Sequence, residues 1–177
     1  MNSSPIVKLL PILLLPGAIP AIQLAHAGRK GSSAPPFDLA GPGRHLTEQE
    51  RGWVTVGPSP LAFDDKLLWK VPRELSVKEI LGLQDKFVSA AKRAVTAGMA
   101  VLEIHAAHGY LLHQFYSPLT NKRTDQYGSG SFENRIRFLV ETTQKVRAAV
   151  PSEVLVFVRL TGKEAFFLSN NLKFNQQ

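Results

Sequence analysis

The octapeptide Glu103-Ile-His-Ala-Ala-His-Gly-Tyr110 brings two imidazoles and a phenol close together in the chain. Two imidazoles can grip an oxygen anion or a carbonyl by hydrogen bonds, and a phenol can give up a proton. The apolar run Met99-Ala-Val-Leu102 precedes the octapeptide and reads as a buried strand. His105, His108 and Tyr110 therefore gather where a strand ends. In α/β folds, ligands bind at the carboxyl ends of parallel strands.

Blander readings of the same residues stand beside this one. A histidine at a strand end is often a satisfied core residue, and a loop tyrosine often only packs. His-x-x-His can also supply two metal ligands. The chain holds no cysteine, however, and the one adjacent acid, Glu103, shares the His105 face by strand alternation.

The elements that must position these groups follow from periodicity and punctuation. Residues 20–25 read as a short buried strand. Residues 28–73 are rich in Gly, Pro and Ser and read as a long loop, unusual in a compact domain unless functional. Ser76-Val-Lys-Glu79 is a capping box opening a helix over 76–97, with Ile80, Leu83, Phe87, Ala91 and Val95 inward and Gly98 as its stop. Residues 99–105 form the next strand. Ser131 caps a helix over 132–149 that turns Ile136, Leu139, Val140, Thr143 and Val146 inward, with Pro151 beyond its end. Residues 154–160 are apolar enough for a buried parallel strand. Strand, helix, strand, helix, strand implies a parallel sheet with right-handed crossovers.

Composition narrows the class. An apolar content of 44% with 20% charged residues is globular, and the absence of cysteine excludes disulfides and suits a reducing, cytoplasmic setting. The net charge of +7 raises nucleic acid and acidic membranes as partners. Yet Lys66, Lys70, Lys78, Lys86, Lys92, Arg93, Lys145 and Arg147 are scattered, as on solvated helix faces. Lys8, the leucine run after it and Ala25-His-Ala27 have the form of a secretory signal. Pro11, Pro16 and Pro20 break the helix such a signal needs, and the stretch is too short to span a bilayer. The expectation is no nucleic acid, no membrane and no secretion.

Residues 105–137, HAAHGYLLHQFYSPLTNKRTDQYGSGSFENRIR, closely resemble the old yellow enzyme family of FMN-dependent NAD(P)H oxidoreductases. Three further blocks match in order and spacing: Ile22-Gln-Leu-Ala-His-Ala-Gly-Arg-Lys30, Gly52-Trp53 with Val56-Gly-Pro-Ser59, and Val156-Phe-Val-Arg-Leu160. The resemblance covers roughly residues 20–161, in the subgroup with two histidines in the first motif. It implies an α/β fold of the (β/α)8 TIM barrel type, here partial, because 177 residues fall short of the roughly 250 of a whole barrel. A compact three-stranded doubly wound domain is the architectural alternative. Residues 1–19 form an apolar segment outside the family's pattern, 20–161 the partial barrel, and 162–177 a divergent tail.

By resemblance, FMN and NAD(P)H are the cofactors, and the substrate is a small enone or enal whose alkene is reduced. Gln23 would bond the flavin pyrimidine ring, and Arg159 would stabilise charge on the reduced ring. His105 and His108 would hold the substrate oxygen, and Tyr110 would protonate the α-carbon. Arg123 and Asp125 read as an ion pair shaping a loop, and Glu133 and Arg135 as structural. The family's Tyr-Gly-Gly-Ser becomes Tyr127-Gly-Ser-Gly-Ser131, one residue longer at the helix entry. The family's first two and last three strands have no counterpart here, and with them would go the phosphate anchor. The alternative function is a catalytically inactive fragment without stable flavin binding, acting at most as an interaction surface. Open parallel edges would favour pairing, including homo-oligomers.

Overall fold

The computed structural model describes residues 17–35, 37–38, 44–64 and 69–162. The expectations for residues 1–16 and for the tail from 163 onward lie outside these residues. Strand β1 is Ala21–Leu24, followed by a 3-10 turn at Gly28–Lys30. Two-residue strands β2 (Val56–Gly57) and β3 (Arg73–Glu74) pair in parallel and break up what the sequence presents as one long loop. Helix α1 is Val77–Thr96, β4 Val101–Ala106, helix α2 Leu111–Tyr116, helix α3 Phe132–Ala149 and β5 Leu155–Leu160.

Each long element starts and stops as its local chemistry dictates. Ser76 Oγ accepts from the Glu79 N–H, and the Glu79 carboxylate accepts from the Ser76 N–H. Gly98, at φ 96°, ends α1 in the left-handed conformation that glycine adopts without steric cost. Ser131 Oγ accepts from the Asn134 N–H to open α3. The extra residue before Ser131 is absorbed in the turns ahead of the helix, so the cap itself is undisturbed.

The main sheet runs β1-β4-β5, and both pairings are parallel. Strand order follows chain order, as in a barrel. Helices α1 and α3 pack side by side: Gln84 Nε2 donates to Glu141 Oε2 at 2.7 Å, and Lys145 pairs with Asp85 at 3.1 Å. Both long helices therefore cover one face of the sheet, which excludes the doubly wound alternative. Leu102, Ile104 and Ala106 point into that helix-covered core with Ile80, Phe87, Phe115 and Phe138.

Two sequence-based expectations need correction. The buried stripe of α3 is Phe138, Thr142 and Val146, with Ile136, Leu139 and Thr143 half-buried and Val140 exposed. Phe138 sets this rotation by packing edge-on against Phe115, at 4.9 Å between centroids, and Thr142 satisfies its hydroxyl on the Phe138 carbonyl. Polar groups can thus hold core positions that an apolar count overlooks. Strand β5 is apolar but not buried on both faces: Leu155, Phe157 and Leu160 are 51, 53 and 58% exposed. As the edge strand it packs only Val156 and Val158 against the core.

Candidate functional site at the end of strand β4

Register places the sequence-derived residues in rows. Gln23 pairs with Glu103 across β1 and β4, and His105 pairs with Arg159 across β4 and β5. Because alternate side chains share a face, Gln23, Glu103, His105 and Arg159 all project from the side away from the helices. In a closed barrel that side is the interior.

His105 is 4% exposed, and His108 lies in the solvent-facing turn beyond it. The Ala107 N–H donates to His105 Nδ1 at 3.2 Å. His105 Nε2 faces His108 Nδ1 at 3.2 Å. The Tyr110 ring lies tilted over His105, 4.8 Å between centroids. The three groups do converge. Burial holds the His105 pKa below its ordinary value, with the neighbouring His108 acting in the same direction, so the ring is neutral near pH 7. A neutral ring that accepts at Nδ1 carries its proton on Nε2 and donates there.

The flavin-side residues are placed differently from expectation. Gln23 is exposed, not buried, and its amide donates to the Glu103 carboxylate. The reason is its face: strand alternation turns Gln23 away from the core that Ile22 and Leu24 enter. Arg159 is exposed and makes no hydrogen bond or ion pair among the described residues. A solvent-exposed amide and an unpaired guanidinium on one sheet face match what a pyrimidine edge with developing negative charge would need. Gln23 would have to exchange Glu103 for that edge. The residues present therefore fit the flavin's ring.

Four residues that sequence reading left unassigned belong to the same constellation. Lys30 Nζ donates to the His108 carbonyl at 2.9 Å and sits 4.2 Å from the centre of the Phe63 ring. The Gln114 amide donates to the Gly109 carbonyl at 2.7 Å and lies 3.4 Å from the Arg29 N–H, tying two motifs together. His113 Nδ1 accepts from the Gly109 N–H at 2.9 Å, and Thr161 Oγ1 accepts from the His108 N–H at 2.9 Å. One signal in the sequence could have found Gln114 and His113: polar residues inside an otherwise apolar short helix. Thr161 gave none, since its partner is 53 residues away.

Arg123 and Asp125 form the expected pair, and the Arg123 side chain is 4% exposed. It also reaches Glu74 and the carbonyls of Pro58 and Leu75, pinning the loop after α2 to β3. A cleft of about 430 Å³ lies elsewhere, between α1 and the loop carrying Trp53, and none of His105, His108 or Tyr110 lines it. Among the described residues no three His, Asp or Glu side chains converge to hold a metal ion. No helix among them is long and apolar enough to cross a membrane.

Comparison with known proteins agrees with this geometry. The family described as NADH:flavin oxidoreductase / NADH oxidase matches residues 16–171. An NADH:flavin oxidoreductase of Gibberella zeae is 44% identical over 147 residues, covering 82% of this chain and 35% of its own. An NADPH dehydrogenase of Clostridium acetobutylicum is 44% identical over 146 residues, covering 81% and 37%. Among solved structures, Old Yellow Enzyme from Pichia sp. AKU4542 superposes with a TM-score of 0.66 at 36% identity, over 81% of this chain and 36% of that one. Histamine dehydrogenase from Rhizobium sp. 4-9 gives 0.69 at 32% identity, over 88% and 22%. The chain spans about a third of the length of the curated relatives it matches. Its sheet is an arc of the TIM-type barrel of the old yellow enzymes, and the chain belongs to the NADH:flavin oxidoreductase / NADH oxidase family.

Proposed function

We propose that this chain carries the substrate-side half of an FMN-dependent NAD(P)H oxidoreductase site that reduces alkenes conjugated to a carbonyl. One observation carries the reading: His105, His108 and Tyr110 converge at the end of β4, on the sheet side that also presents Gln23 and Arg159. Gln23 would bond the flavin's pyrimidine edge, and Arg159 would balance negative charge on the ring. Bound FMN would supply the reducing electrons drawn from NAD(P)H. The chain's own groups do the rest. The imidazoles donate hydrogen bonds to the substrate carbonyl oxygen, and those bonds strengthen as the oxygen gains negative charge. Tyr110 hands its phenolic proton to the carbon next to the carbonyl, which completes addition across the double bond. A cytoplasmic setting suits this reading, since the chain has no cysteine and the reductant is NAD(P)H.

A second reading has its own observation. Leu155, Phe157 and Leu160 stand exposed on β5, and the chain spans only about a third of its relatives. On that reading the chain is a catalytically inactive fragment that binds flavin weakly and acts at most as an interaction surface. Titration of the purified 177-residue chain with FMN separates the two. A saturable change in the flavin's visible band, lost in Arg159→Ala, supports the site. A chain that leaves the spectrum of added FMN unchanged sinks it.

A further inference from the structure

His108 and Gly109 both occupy the left-handed region, with φ 58° and 72°. Glycine does so freely, whereas in histidine the Cβ crowds the following carbonyl oxygen. Such a conformation persists where surrounding groups over-determine it. Here three hydrogen bonds from three other positions do so. Lys30 Nζ holds the His108 carbonyl at 2.9 Å, Thr161 Oγ1 takes the His108 N–H at 2.9 Å, and His113 Nδ1 takes the Gly109 N–H at 2.9 Å. Thr161 Oγ1 also lies 3.2 Å from His113 Nδ1, so the two groups stand side by side under the turn. The Thr161 N–H donates in turn to the Tyr116 hydroxyl at 3.3 Å, which donates to the Ala106 carbonyl at 2.7 Å.

Lys30 follows β1, His108 follows β4 and Thr161 follows β5. We infer that Lys30 and Thr161, with His113, form a clamp that fixes the left-handed turn at His108 and so aims its imidazole at His105. They are positioning residues: Thr161 meets only the His108 backbone among the groups of the proposed chemistry, and Lys30, whose ammonium also lies 5.8 Å from the centre of the Tyr110 ring, hydrogen-bonds to the His108 carbonyl. The imidazole pair then exists only when the ends of three neighbouring strands assemble. The importance of the clamp for catalysis rests on the donor role proposed for His108; its existence does not.

The test reads the ring itself and uses neither flavin nor substrate. In the ¹⁵N-labelled full chain, long-range ¹H–¹⁵N spectra report which ring nitrogen of each of the five histidines carries a proton. The native chain should hold His108 as the Nε2–H tautomer with a through-space contact to His105. Thr161→Val and Lys30→Met should each move His108 toward the averaged shifts of a free imidazole and lose that contact. Thr161→Ser should keep both. His26 and His45 should be unmoved in all three variants. Native His108 signals in both Val and Met variants would overturn the clamp. So would a Ser variant that fails as fully as Val, or histidines that all move together, since the bonds would then hold the fold and not His108. Absence of flavin binding bears on the proposed function and leaves this test intact.

Discussion

Nε2 of His105 and Nδ1 of His108 lie 3.2 Å apart, so the first ring's donor is turned on the second ring. With the Ala107 N–H on Nδ1, His105 keeps its proton on Nε2, and His108 is left to donate from Nε2. An oxygen ligand must then take His108 Nε2–H and draw His105 Nε2–H away from its neighbour. Hydrogen bonds to a charged oxygen are worth about 1.5–3 kcal/mol each, so His105→Ala or His108→Ala should weaken phenolate binding roughly tenfold or more. With FMN present, the long-wavelength charge-transfer band of a bound phenol measures this. Unchanged band intensity in both variants would remove the imidazoles from the ligand site, and stoichiometric zinc lost on either substitution would make them metal ligands.

Arg123 should be the most costly single loss in the loop system. Its guanidinium is buried against Asp125, Glu74 and two backbone carbonyls. Removing one partner of a buried network leaves the others desolvated, so Arg123→Met should cost about 3 kcal/mol in denaturant unfolding. Arg123→Lys should recover only part of that, because an ammonium cannot reproduce the planar fork. A loss within a few tenths of a kcal/mol would mean the loop is held by other contacts.

Stability should fall as pH drops through the histidine range. Burial lowers the pKa values of His26, His45 and His105, so the unfolded chain takes up protons first. Stability then rises with pH wherever the unfolded state binds more protons. The contribution is fully present above the unfolded value of about 6.5 and is lost as pH falls through the lower folded values. Chemical denaturation at a series of pH values checks the slope; a midpoint that rises on acidification between pH 7 and 5 would contradict the assignment.

Tyr127 should ionise well above the ordinary range of a phenol. Burial and its 2.7 Å bond to Glu141 push its pKa up to about 12. Ultraviolet titration of the native chain and of Tyr127→Phe should differ by one phenol that responds only near that pH. A difference that appears in the ordinary phenol range, at about pH 10, would count against the Tyr127–Glu141 bond.

The exposed face of β5 should govern self-association. Phe157→Lys removes a half-exposed ring from an open edge strand, and like-charge gating of edges opposes pairing. Light scattering should show less association, with thermal stability nearly unchanged. Unaltered association would place the sticky surface elsewhere.

Local punctuation was legible in the chain because it depends on near neighbours. The Ser76–Glu79 capping box, the Gly98 stop, the Ser131 cap and the three parallel strands follow from spacing and residue type alone. So did the gathering of His105, His108 and Tyr110 at one strand end, since a strand and the turn after it bring all three close, although the aim of the His108 ring is set by distant partners. The burial of Thr142 and Gln84 was not legible, because their hydrogen bonds, to a turn of helix and to Glu141, let polar groups sit where apolar ones were expected.

Sequence by itself determined the family, the parallel α/β order and the clustering of two imidazoles and a phenol at one strand end. Only the tertiary structure decided that Gln23 bonds to Glu103, that β5 stands with one face uncovered, and that Lys30 and Thr161 meet at His108. The physical reason is range. Helix caps and strand alternation are set within a few residues, whereas these contacts join positions 80, 78 and 53 residues apart, and they form only when the strand ends stand side by side.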